Sequence, residues 1–246
     1  MIPPLGAWQW CLGALSVFLV GVAKTGVPGV GILSIPMMVL AVGDARFSAG
    51  YMLPILCTAD VIALFLFRQH ASATRLISMV PWVLLGMAGG AWALGLPESK
   101  LRPMVGAIII VMISIHILRI WRGGAFPAQA TLPQSVAYGA SAGFASTVAN
   151  AAGPVMNLYL LSKQLPKAEF VATGAWFFFF VNASKLPIYI GHGLFSRTSL
   201  TFDAMMLPVL ALGAGCGRAL FFRIPQKTFE RVVLALSIVA TLLLFL

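Results

Sequence analysis

Charged side chains are scarce in this chain. Asp, Glu, Lys and Arg together make up 9% of its 246 residues, and only six are acidic. A soluble domain carries about 25% charged residues. With 60% hydrophobic residues and a mean hydropathy of +0.98, the chain reads as an all-α integral membrane protein, because apolar runs near helix-spanning length recur along it. Cysteine is scarce too. Cys11, Cys57 and Cys216 fall in three different apolar segments with no C-x-x-C spacing, which leaves neither a disulfide framework nor a cysteine zinc site. The enzyme templates G-x-S-x-G, H-E-x-x-H and the P-loop are absent, so no catalysis, cofactor or metal is expected. No polar stretch is long enough for a soluble domain; the longest, around Arg119 to Gln134, is a linker. The formal net charge of +10 comes without an aromatic–basic stripe, so nucleic acid is not an expected partner. The N-terminus, Met1-Ile2-Pro3-Pro4, has no basic n-region, and the first segment is expected to be retained.

Eight hydrophobic segments are present, at about 8–42, 46–67, 76–96, 101–121, 133–161, 168–190, 200–221 and 228–246. Pro36, Pro54, Pro154, Pro187 and Pro208 fall inside them and predict kinks or breaks. The chain also repeats itself. Gly21-Val22-Ala23-Lys24-Thr25 with Gly31 matches Gly143-Phe144-Ala145-Ser146-Thr147 with Gly153, 122 residues on. Ala45-Arg46-Phe47 matches Ala168-Glu169-Phe170. Pro81 with Gly86 and Gly90 resembles Pro208 with Gly213 and Gly217, and Pro97-Glu98 resembles Pro225-Gln226. Two repeated halves of four segments each are therefore expected, 1–122 and 130–246, within a single membrane domain. Internal repeats of this type are typical of transporters.

The first segment, about 35 residues, would reach roughly 52 Å as a helix against a hydrocarbon core of about 30 Å. A re-entrant hairpin in segments one and five leaves three full spans per half, which inverts the halves. Basic residues in the loops then divide 4 to 10, and 5 to 9 if all eight segments span; the two counts barely separate the arrangements. Both place the two termini outside the cytoplasm.

The centre of the first segment carries the most informative residues. Lys24, Thr25, Gly26, Pro28, Gly29 and Gly31 interrupt an apolar run, and a lysine at a helix centre costs roughly 2.5–3.5 kcal/mol on insertion scales. An amine beside uncapped backbone N–H groups suits the binding of a small anion; the other reading is that Lys24 snorkels to an interface and the glycines only allow close helix packing. The second half has an uncharged break, Ser146 to Pro154, with Thr147, Asn150 and Gly153, followed by Asn157. These residues can donate to an oxyanion or satisfy a neighbouring helix. Segment six places Asn182 and Lys185 three apart on one helical face, beside four consecutive phenylalanines, Phe177 to Phe180. Lys185 is a second cation with the same two readings. Asp60 reads as the one acid clearly inside an apolar run, at the position the repeat equates with Asn182. It is a partner for either lysine, a proton carrier or half of a structural pair.

At this point the chain resembles the TauE/SafE sulfite exporter family of bacterial membrane transporters. Gly21 to Gly31 with Pro36 resembles that family's first-half motif, Ala152-Gly153-Pro154 with Tyr159-Leu160-Leu161 a second-half form, and Phe177 to Asn182 with Lys185-Leu186-Pro187 the segment-six pattern. The resemblance implies a multi-pass inner-membrane carrier, linked to the proton motive force, for a small sulfur-containing or organic anion such as sulfite or a sulfonate. By position, Lys24, Thr25, Gly26, Gly29 and Gly31 would line one half-site. Thr147, Asn150, Gly153 and Asn157 would line the other, with Asn182 and Lys185 beside them and Asp60 as the coupling acid. Expected partners are the anion, a coupled proton and the lipid bilayer, with a homodimer left open. The chain departs from the pattern at the interrupted Gly29-Val30-Gly31 and in a second break without lysine. A membrane thiol-redox or assembly factor and a passive anion channel are the rival readings.

Overall fold

The computed structural model describes residues 5–67, 76–93, 98–121, 131–191 and 193–243. Among them the secondary structure is entirely helical. Arg68, Arg75 and Arg122, three of the basic loop residues in the orientation counts, lie outside the described residues, as do Pro97 and most of the linker. Ten α-helices follow in order: α1 (Ala7–Thr25), α2 (Ser34–Val42) after a short 3-10 turn (Val30–Leu33), α3 (Ala45–Phe67), α4 (Val80–Ala93), α5 (Glu98–Trp121), α6 (Leu132–Ala149), α7 (Ala152–Ser162), α8 (Lys167–Gly191), α9 (Arg197–Arg223) and α10 (Gln226–Leu242). Among the described residues, three helical stretches are long and apolar enough to cross a bilayer: Ala7–Thr25, Phe47–Phe67 and Arg197–Arg223.

The first and fifth apolar segments are broken, and sequence chemistry explains where. α1 stops at Thr25, and the chain turns through Gly29, whose φ of 108° is open to glycine. α6 stops at Asn150 in the left-handed conformation (φ 51°), with the Ala151 N–H donating 3.0 Å to the Ala145 carbonyl, a Schellman-type ending. Pro36 and Pro154 stand third in α2 and α7, in the first turn, where a missing N–H is tolerated. Pro54, Pro187 and Pro208 are instead carried inside α3, α8 and α9.

The chain packs as two compact units. The first comprises Met1–Gln69 and Ala175–Pro225, the second His70–Gly174 and Gln226–Leu246. In the first unit α2 folds back antiparallel on α1. The Ser16 hydroxyl donates to the Ser34 carbonyl at 2.7 Å, and a Cβ on Gly31 would lie 3.1 Å from the Cβ of Ala23. α1 runs parallel to α9, with Gly13 against Phe202, Gly21 against Leu210 and Ala214, and Gly26 against the Gly217 backbone. α3 runs parallel to α9 as well: Tyr51 meets Phe202 edge-on at 5.3 Å and Phe67 meets Phe221 at 5.0 Å. Val17, Val20, Met38, Ile55, Phe202 and Leu210 form the buried apolar cluster between these helices.

In the second unit α7 folds back antiparallel on α6, with the Tyr138 and Tyr159 rings 5.4 Å apart. α4 lies parallel to α6: Gly86 meets the Ala140 backbone, Gly143 meets Val83 and Met87, and Gly90 meets Phe144 and Thr147. α10 closes on α7 and on the start of α8 through Asn157 to Ser237 (3.3 Å) and the Phe170–Phe229 ring pair (5.3 Å).

Close helix approach through small residues is a membrane-protein device, because lipid provides no hydrophobic drive for helices to associate. Gly26→Leu and Gly143→Leu should each lower thermal stability in detergent, by about 1–3 kcal/mol or more for overpacking. Gly89→Leu, where nothing lies within 4 Å of the added Cβ, should leave the melting temperature close to wild type.

Candidate functional site

Lys24 sits in the last turn of α1, where unpaired carbonyls and the helix dipole favour a cation. It does not snorkel. Its Nζ lies 2.6 Å from Oδ1 of Asp60, a fully buried residue of α3. The Asn182 amide, from α8, donates to the other oxygen of Asp60 at 2.8 Å. The Phe178 ring covers Lys24 with its centroid 4.1 Å from Nζ, a cation–π contact. Lys185, one turn beyond Asn182, is also buried, at 4% exposure, and acts electrostatically on the Asp60 carboxylate. The cluster thus holds two amines against one carboxylate. All its members belong to the first unit.

The other residues singled out in the first break serve packing and the turn. The Thr25 hydroxyl is shared between the carbonyls of Gly21 (3.0 Å) and Ala214 (2.7 Å), and Gly26 abuts Gly217. Gly29 makes the turn with its positive φ, and Gly31 passes close to Ala23.

Thr147, Asn150, Gly153 and Asn157 all lie in the second unit. Thr147 donates to the Gly143 carbonyl at 3.0 Å, repeating the local bond of Thr25. Asn157 is held by Ser237, and Asn150 ends α6. Gly153 lies in the first turn of α7, which no side chain caps, and has open space where a Cβ would be. A helix N-terminus of this kind presents backbone N–H groups.

Three further residues were not among the site candidates drawn from the sequence. Phe178 belongs to the cluster, and the spacing 178, 182, 185 along one face of α8 was available as a signal. Cys57, three residues before Asp60 on α3, is a free thiol within electrostatic range of Lys24, Asp60 and Lys185. Asp203 corrects the expectation that Asp60 is the only acid inside an apolar run. It lies within α9, is 6% exposed, and both its oxygens are buried without a hydrogen-bond partner. It is the fourth residue of the seventh apolar segment, 200–221, and six residues from Arg197. The cysteines are free thiols on three helices, Cys11 on α1, Cys57 on α3 and Cys216 on α9.

A family model described as Sulfite exporter TauE/SafE matches residues 13–244. No curated protein and no solved structure matches the chain.

Removing one partner of a buried ion pair leaves the other charge without compensation, at about 3–5 kcal/mol. Asp60→Ala should therefore lower the detergent melting temperature sharply. The double variant Lys24→Met/Asp60→Leu should recover most of that loss, since an apolar pair of similar volume is often neutral. A double variant as unstable as Asp60→Ala would mean that the pair is not the source of the effect.

Proposed function

The chain belongs to the TauE/SafE sulfite exporter family, and from that premise we propose that it is a secondary transporter. Its substrate is a small sulfur-containing or organic anion, carried across the bacterial inner membrane by alternating access. The observation that carries this reading is the buried cluster of Lys24, Asp60, Asn182 and Lys185, with two amines, one carboxylate and one amide. Such a set holds an anion where bulk water does not compete. Asp60 is the internal counter-ion. A substrate oxyanion takes its place beside Lys24 and meets the Asn182 amide and the Lys185 amine, and Asp60 reclaims Lys24 when the anion leaves. This exchange makes binding reversible in a place where an unpaired lysine would be costly. Thr147, Asn150, Gly153 and Asn157, around the open first turn of α7, form a second set of candidate anion contacts.

The same reading takes the two chain halves as a duplication, inverted in the membrane. Its support is the recurrence of contacts. Gly21 against Leu210 and Ala214 in the first unit answers Gly143 against Val83 and Met87 in the second, and Gly213 against Phe18 answers Gly86 against Ala140. Every partner is displaced by the sequence offsets, 122 residues for α1 to α6 and 127 for α4 to α9. Asp60 and Asn182, equated by the first offset, touch one another.

Purified protein in proteoliposomes, with sulfite and a panel of sulfonates and carboxylates as substrates, tests the proposal. Lys24→Ala and Lys185→Ala should each cut flux of the accepted anion about ten- to a hundredfold, the loss of one charged contact. Wild-type flux from both would overturn the site. Flux that never saturates and ignores a pH gradient would make the protein a channel. Loss of flux in the Cys11→Ser/Cys57→Ser/Cys216→Ser variant would favour thiol chemistry.

A further inference from the structure

We propose that Asp203 is a second functional carboxyl, a proton-binding site separate from the Lys24–Asp60 pair. The two buried acids of the first unit differ in what surrounds them. Asp60 has an ammonium group at one oxygen and an amide donor at the other. Asp203, 6% exposed, has no hydrogen-bond partner at either oxygen. Next to it in α9, Phe202 stacks on Trp10 of α1 at 5.3 Å and meets Tyr51 of α3 at 5.3 Å. Among the described residues the Tyr51 phenol is the titratable group within its electrostatic reach, and no cation is.

A carboxyl in that position has two ways to neutralise its charge, by taking a proton or by binding a metal cation. Among the described residues no group of His, Cys, Asp or Glu stands together to complete a metal shell, and a hard cation needs about six oxygens. A proton needs only the one carboxyl. The carboxylate takes H⁺ from water to form the O–H bond, and releases it to water when the site opens. The site is also displaced from the anion cluster. Tyr51 is level with Phe202, and Asp60 lies nine residues further along α3, about 13 Å at helical rise. Protonation and anion binding can thus occur without sharing atoms. A role for Asp203 in coupling rests on the transporter reading; its proton binding does not.

Infrared difference spectroscopy of the full chain in lipid, between mildly acidic and alkaline pH, tests the two separately. The carbonyl stretch of a protonated carboxyl in an apolar setting should be present in wild type and in Lys24→Met/Asp60→Leu. It should vanish in Asp203→Asn and shift in position in Asp203→Glu. The second variant keeps the assay decisive if Asp203→Asn does not fold. A band unaltered by both substitutions would overturn the proposal. Sulfite flux in proteoliposomes, measured against a pH gradient, then reads the role. Its pH dependence should flatten in Asp203→Asn, and wild-type dependence would remove Asp203 from coupling while leaving the proton site intact.

Discussion

The arrangement of the first unit depends on one contact, the 2.6 Å pair between Lys24 and Asp60. Neither residue is tolerable alone at that depth. An ammonium and a carboxylate taken out of water each lose several kcal/mol of solvation, and the loss is recovered only when they meet in good geometry with their remaining sites satisfied. That requirement is met by three helices at once. α1 brings the amine at its last turn, α3 the carboxylate, and α8 both the Asn182 amide and the Phe178 ring. A buried pair of this type contributes little net stability, but it penalises any register of the three helices that separates its members. It also sets the terms for a ligand, since an anion at Lys24 must displace a carboxylate of the protein's own.

The first segment breaks just beyond the pair, since Lys24 is the last residue but one of α1. Here the chain stops at Thr25, turns at Gly29 and returns along α1 as α2. The hairpin stays in place through backbone approach. Gly21 and Gly26 lie against Leu210, Gly213 and Gly217 of α9, and the Thr25 hydroxyl is shared between the carbonyls of Gly21 in α1 and Ala214 in α9. Residues that look polar and functional in the sequence thus act as the clamp that presents the one side chain beside them, Lys24. The second unit has the same kind of clamp around Gly143 and Thr147, with Ser146 following where Lys24 would stand. One break carries a charge and the other carries only amides and hydroxyls.

Large apolar side chains face outward along the helices of each unit, among them Phe65 and Leu212 in the first and Trp92 and Trp121 in the second, all more than half exposed. In water such a surface would promote association; in a bilayer it faces its own solvent. With the surface apolar, the few buried charges become the informative part of the chain.

Much of this was legible in the amino-acid order. The membrane class follows from composition, the two breaks from glycine, proline and asparagine in apolar runs, and Lys24, Asp60, Asn182 and Lys185 stand out through the cost of burying polar groups there. These are local properties, visible in a window of a few residues. The pairing was not visible. Residues 24, 60 and 182 are distant in the chain, and Asp60 read equally as a partner for Lys24 or for Lys185. Which amine it takes depends on how α1 and α3 rotate about their axes, and packing against α9 decides that. The same limit left the glycines beside Lys24 open between an anion site and close helix packing, and it hid the bond of Thr25 to α9 and the ring of Phe178 over Lys24. It hid Asp203 as well, since its isolation is a property of the atoms around it and not of its neighbours in sequence.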